Sequence, residues 1–449
     1  MKRDAVHTLP PTMQADPPAD EAVARMLAGA DGPHEITERV AAINREIVRW
    51  DSNGGLRTWT PGPDTDPRMA AALADYLATC PQLPDWADPA KIARAETLFM
   101  DMSALSCTLL FCASLPECYV LPDLSAVLQA AGQLEQHTDY RIRSTAAMIF
   151  PVMMRGGLTA PSGGGVSQAL KVRLIHATIR HLVLRGAPTD ATAKLPALAP
   201  AGGGVYHQLY AHGWDNARAG LPCNQEELAY TLLTFSYAFL RGLRRLGLGL
   251  PRADEEAYLH AWNVLGHLLG IERALMAWDM MEAEERFAAF QARGREQVRE
   301  PDPRPALAAA LMRSMENEIP LRLLKPFPTL LTRRLCGKQA SRALGLHGRQ
   351  PLASRLLFAG GFGLVRTFDS VVRLAVPDFS ITRMLTRVAG YRLVTRFLMD
   401  QTRPLRLPDA LLGQVACVTT AWRHDPRAPR WVNRLEDRLA GRAGHKDTT

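Results

Sequence analysis

The sequence predicts an all-α protein, a single large multi-helix globular domain with a basic helical C-terminal part. Three observations carry that prediction. Sustained Val/Ile/Thr alternation, the signature of strands, is nearly absent. Ala, Leu and Arg are abundant, and apolar residues recur at three- and four-residue steps. With 449 residues, 47% of them hydrophobic and 22% charged, the chain has the apolar content to fill a sizeable core. No internal repeat is visible.

Taken in order, residues 1–33 are rich in Pro, Asp and Ala and read as a mobile N-terminal tail. Met1-Lys2-Arg3-Asp4 leads into no apolar run, so no secretory leader is expected. No window approaches the roughly 18 uninterrupted apolar residues of a membrane span. The expected localisation is therefore cytoplasmic. Residues 34–300 read as a helical core. Ile36, Val40, Ile43, Ile47 and Val48 set a helical stripe that stops before Ser52-Asn53-Gly54-Gly55. A turn at Thr60-Pro61-Gly62-Pro63 leads to a helix over 67–79. After Pro84 to Pro89 a further helix starts at Lys91. Leu98 to Ser114 is very apolar and predicts a largely buried helix. A short helix over 123–131 follows, then one carrying Arg141 and Thr145 through Met148, Ile149 and Met153 towards Gly156-Gly157.

Ser162-Gly163-Gly164-Gly165 lacks the Gly-Lys-Ser/Thr ending of a phosphate loop and follows a helix, so it reads as a connection. The next helix carries Val172, Ile175, Ile179, Leu182 and Val183 as its apolar stripe, with His176 in the middle. A loop occupies about 188–204. Asn224 is a good N-cap with Glu227 three residues on, and Leu228, Leu232, Phe235, Phe239, Leu243 and Leu246 predict one continuous helix stopped by Gly247. Helices over 253–269 and 283–295 come next. Arg299 to Pro305 is the best candidate linker. Residues 301–449 then read as a basic helical C-terminal region packing on the core, with helices at 306–314 and 379–400.

Charge is uneven along the chain. From residue 301 there are 25 Lys/Arg against 11 Asp/Glu, whereas the first 300 residues hold 28 against 34. The asymmetry suits an electrostatic role against the acidic part of the same chain or an anionic partner, and a solvated set of arginine-bearing helix faces is the plainer reading. The basic amphipathic helices could touch a membrane surface, with packing on the core the plainer expectation. Aromatics do not interleave with the arginines, which argues against a nucleic-acid partner. The seven cysteines (80, 107, 112, 118, 223, 336 and 417) form no CxxC pair and sit in apolar contexts, as buried free thiols do.

The polar residues on apolar faces are where chemistry concentrates. Arg141, Ser144, Thr145, Met148 and Ile149 share one helix face. A cation and hydroxyls there are costly without a partner or ligand. Thr145 could back-bond to its own helix and Arg141 could pair with Glu135 or Asp139. Opposite a helix with a central histidine, the same set has the parts of a haem pocket, with a neutral His176 nitrogen offered to iron.

Several stretches in order resemble one family. They are Arg141-Ile142-Arg143-Ser144-Thr145, Val172-Arg173-Leu174-Ile175-His176-Ala177 with Arg180-His181, and Pro222-Cys223-Asn224-Gln225-Glu226-Glu227-Leu228. Thr231 to Ser236 and Trp262-Asn263-Val264-Leu265-Gly266 continue the match. The chain resembles the haem-dependent oxygenase family of latex clearing protein (rubber oxygenase) and the fungal mycophenolic-acid oxygenase, over roughly 95–290 with a weaker echo at 320–346. That resemblance implies a fold enclosing haem b, with His176 as proximal iron ligand. It implies Arg141 and Thr145 in the distal pocket, beside Ser144, and His181 in support of pocket integrity.

Two departures from the pattern shape the expectation. Ser144 stands where latex clearing protein has a lysine that can cap the resting iron, so an open or water-capped distal site is expected. Ser125 stands where the rubber-cleaving members have a glutamate base, and Glu117 and Asp123 are merely nearby in sequence. The missing base, with no leader, speaks against a polymer outside the cell. The function expected is a haem b-dependent oxygenase acting with O2 on a small hydrophobic substrate, such as an unsaturated lipid or terpenoid. Rival readings are a haem sensor or carrier without turnover, and a cofactor-free helical interaction protein. The sequence sets no oligomeric state.

Overall fold

The computed structural model describes residues 9–30, 32–80, 83–102, 104–130, 138–199, 204–296, 301–319, 321–361 and 363; for 104, 128–130 and 138–141 it describes backbone alone. Among these residues the chain is one helical body. Its lone ladder pairs Lys194–Leu195 antiparallel with Trp214–Asp215. The all-α expectation holds.

The first helix corrects the expected N-terminal tail. Residues Pro17–Leu27 form α1, started by prolines whose fixed φ suits a first turn. Ala19, Ala22, Val23, Met26 and Leu27 are buried along one face, so burial rather than composition decides this segment. α2 (Pro33–Val48), α3 (Pro67–Thr79) and α4 (Pro89–Met102) also open on proline. Asp66 caps α3 by accepting the amides of Arg68 and Met69.

The expected single helix over 98–114 resolves into pieces. α4 ends at Met102, α5 spans Ala104–Leu109, a π-turn covers Leu110–Ser114, and α6 is Leu115–Cys118. Pro116 has no N–H to continue the ladder. α7 (Pro122–Ala130), α8 (Thr138–Met153), α9 (Gly165–Leu184), α10 (Val205–Ala211) and α11 (Asn216–Ala219) follow.

The helix expected over 225–246 is two. α12 (Gln225–Phe235) and α13 (Tyr237–Leu246) meet at Ser236, whose hydroxyl donates 2.8 Å to the Leu232 carbonyl. Such back-bonding bends a helix, and no apolar pattern could show it. Both ends are as predicted: Asn224 Oδ1 accepts the Glu227 amide at 3.0 Å, and Gly247 sits at φ +76°.

α14 (Arg252–Leu268), α15 (Met280–Glu296), α16 (Arg304–Asn317), α17 (Phe327–Cys336) and α18 (Lys338–Ala343) complete the named helices, with a helical run at 352–361 beyond. The candidate linker is tied down where it is described. Arg304 pairs with Asp302 at 2.9 Å and donates to the Val120 carbonyl. The expected helix at 379–400 and Cys417 lie outside the described residues. The other six cysteines are buried and free, and burial pushes Cys107, Cys112 and Cys223 up to about 12. No single helix among the described residues is long and apolar enough to cross a membrane.

One helix sits at the middle of this body. α1, α2, α8, α10 and α14 all pack against α9.

Candidate functional site

α9 carries His176, and its start is fixed from a distance. Gly164 offers no side chain to cap it, so Asn53 from the α2–α3 connection does the work. Asn53 Oδ1 accepts the Val166 amide at 2.9 Å, while its Nδ2 donates to the carbonyls of Gly157 and Ala160. Gly165 has room for no Cβ, because the Gly157 carbonyl oxygen would lie 2.7 Å from it.

One face of α9 is sealed by charge. Arg173 makes a two-pronged ion pair with Asp16, 2.6 Å on each arm. Arg180, fully buried, pairs with Asp20 and donates to the carbonyls of Pro222 and Cys223 at 3.0 and 2.7 Å. Cys223 holds a left-handed backbone at φ +52°, and this carbonyl contact helps to hold it there. Gln225 closes the same region, donating to Ala15 and Gly270 and accepting the Glu272 amide. Gly270, at φ +80°, must be glycine, since a Cβ would meet Asp16 Oδ2 at 2.5 Å and Arg173 Nε at 2.8 Å. Desolvated arginines of this kind are stable only when paired and fully hydrogen-bonded.

The neighbouring face is open and apolar. Val172, His176 and Ile179 are half-buried, and Ile175 between them is 41% exposed. Large apolar groups left open on a central helix mark a surface built for something apolar to cover. Within that stripe His176 Nδ1 is sealed from solvent and has no hydrogen-bond partner among the described residues. Burial, and then the nearby Arg180 charge, hold its pKa down at about 4. The ring is therefore neutral at pH 7, as a metal-ligating imidazole must be. His181 is half-buried, its Nδ1 likewise sealed and unpartnered, with its pKa lowered by burial.

α8 packs beside α9 and keeps its own half-buried stripe of Ser144, Thr145, Ala147 and Met148. Arg141 lies in this helix, and its side chain is outside the described residues. Thus α8 and α9 bring Ser144 and Thr145 onto the helix next to His176. A neutral imidazole with an orphaned nitrogen, on an open apolar stripe beside a helix bearing hydroxyls, fits an iron porphyrin.

Glu117, one of the two acids near the missing base, and Ser125, which stands in its place, have other duties. Glu117 is fully buried and clamped by Arg241 and by Gln291 at 2.8 Å. Ser125 is buried with its hydroxyl donating 2.9 Å to the Tyr119 carbonyl. Sequence reading missed Asp16, Asp20 and Asn53. The signal for the first two was present in Asp16-Pro17-Pro18 followed by Ala19, Ala22, Val23 and Met26, a helix start and an apolar stripe.

Comparisons with known proteins bear on this arrangement. Residues 110–367, more than half of the chain, match the model of the "ER-bound oxygenase mpaB/B'/Rubber oxygenase, catalytic domain". The chain is 25% identical over 353 residues to the rubber oxygenase of Streptomyces sp. (strain K30), covering 75% of this chain and 74% of that protein. Its fold resembles that of latex clearing protein in the closed state, with a TM-score of 0.59 and 18% identity over 92% of this chain and 91% of that one.

Proposed function

The chain belongs to the mpaB/rubber oxygenase catalytic-domain family and is an oxygenase; from that premise we propose that it is a haem b-dependent enzyme acting with O2 on a small hydrophobic substrate. The observation that carries the reading is His176, neutral and with its Nδ1 unpartnered among the described residues, on an open apolar stripe of the central helix. His176 would hold the iron on one side. Arg141 and Thr145 of α8 would stand on the other, beside Ser144, with His181 supporting the ring helix from its last turn. When bound, the haem supplies the redox chemistry of O2, which amino-acid side chains lack.

This chain's own groups then have defined tasks. His176 gives its neutral nitrogen, and Arg173 and Arg180 fix the helix that aims it. Val172, Ile175 and Ile179 would give the porphyrin an apolar bed and keep water from it. Arg141 and Thr145 donate hydrogen bonds where negative charge develops on oxygen. Ser144 would offer only a hydroxyl beside them, too weak a donor to hold a metal in competition with O2.

The test is a purified holoprotein assayed for O2 uptake with unsaturated lipids and terpenoids. Arg141→Ala should keep its haem content and lose activity worth about 2–4 kcal/mol of barrier. Unchanged turnover in that variant ends its distal role. A resting spectrum of strong-field six-coordinate iron would contradict the open distal side.

A further inference from the structure

The segment from 319 to 363 is chemically unlike the described residues before it. It contains eight Lys/Arg and no Asp or Glu. Five of the ten large apolar side chains that stand exposed among the described residues are also here: Leu321, Leu323, Leu352, Leu356 and Leu357, at 43–67% exposure.

The two ends of this segment form one surface. Arg333 donates to the Gly348 carbonyl, 2.5 Å away, and Phe327 meets Phe358 edge-on with centroids 5.4 Å apart. The helical run 352–361 buries Ser354 and half-buries Phe358, and its leucines stay open. Arg322, Arg349 and Arg355 stand exposed among those leucines. A water-facing surface gains nothing from open leucines. Exposed leucines interspersed with arginines, in a segment whose neighbouring acid Glu316 is taken up by Thr329 at 3.1 Å, match a surface that is apolar at depth and anionic at its face.

We propose that residues 321–358 dock the enzyme on an anionic lipid surface, with Leu352, Leu356 and Leu357 entering the acyl boundary and Arg322, Arg349 and Arg355 meeting lipid phosphates. The surface carries this independently of the haem reading. It would place an oxygenase for hydrophobic compounds where such compounds dissolve.

The test uses the full chain mixed with phosphatidylcholine vesicles, with and without phosphatidylglycerol, and sedimented. Wild-type protein should pellet with the anionic vesicles and not the neutral ones, and added salt should weaken it. Leu352→Glu with Leu356→Glu, and separately Arg322→Gln with Arg349→Gln and Arg355→Gln, should each lower the partition at least about tenfold while the helical circular dichroism is unchanged. Wild-type protein left in the supernatant overturns the proposal, as do glutamate variants that still pellet. If Leu352→Glu and Leu356→Glu instead convert a dimer to a monomer, a second copy covers the face. If the protein neither pellets nor dimerises, the face is a solvated one. Both outcomes also overturn the proposal. A protein that pellets but takes up no haem would sink the oxygenase cofactor and leave this docking standing.

Discussion

The two faces of α9 invite comparison, because they belong to one helix and answer to different physics. On the sealed face Arg173 and Arg180 are desolvated, and Asp16 and Asp20 neutralise them from a segment more than 150 residues earlier. Beside them Leu174 and Ala177 are fully buried. On the open face Ile175 is exposed and His176 has a nitrogen that no described residue satisfies. The first face is finished by the protein, and the second keeps an exposed isoleucine and a histidine nitrogen without a partner among the described residues. A buried arginine pair is weak evidence for net stability. Here it fixes the rotation of α9, and so decides which side chains remain open.

The comparison can be broken most severely at Asp20. Asp20→Ala leaves Arg180 buried without its counter-charge and should cost about 3–5 kcal/mol of unfolding free energy, read from urea midpoints. A loss under about 1 kcal/mol would mean that the sealed face is not sealed by charge. Next, Leu174→Ala should cost about 2–5 kcal/mol, whereas Ile175→Ala next to it should cost under about 1 in the haem-free protein. Equal losses would erase the distinction between the faces.

Titration gives a slightly smaller effect. The folded pKa of His176 is lowered to about 4, and its unfolded value is about 6.5, so the unfolded chain binds the extra proton between them. Stability from this group is therefore full above about pH 6.5 and falls as pH drops towards 4, by up to about 3 kcal/mol. His176→Phe should flatten that part of the haem-free protein's pH–stability curve, and an unchanged slope would place the titration elsewhere. Smallest is Asn53→Ala, which removes the cap of α9 and should cost about 1–2 kcal/mol by the same urea assay.

Much of the helical plan was legible because apolar spacing and capping residues are local. Asn224 and Gly247 mark their helix ends as the sequence says, while the kink at Ser236 was hidden, since a back-bonded serine leaves the apolar stripe intact. The segment carrying Asp16 and Asp20 was misjudged from composition, because its proline and aspartate content outweighed a short apolar stripe. The motifs of the resemblance were legible, yet their work differs from residue to residue. Arg173, Arg180, Pro222, Cys223 and Gln225 build the frame around α9, and His176 and His181 each keep an Nδ1 without a partner among the described residues. Charge pairing over 150 residues has no local signature, so that division of labour appears only in three dimensions.

Haem titration into the cofactor-free protein, followed at the Soret band, tests the central claim most directly. The wild type should give a saturable Soret band, and His176→Ala, with its helical circular dichroism retained, should lose or strongly shift it. A band unchanged in His176→Ala would contradict the account.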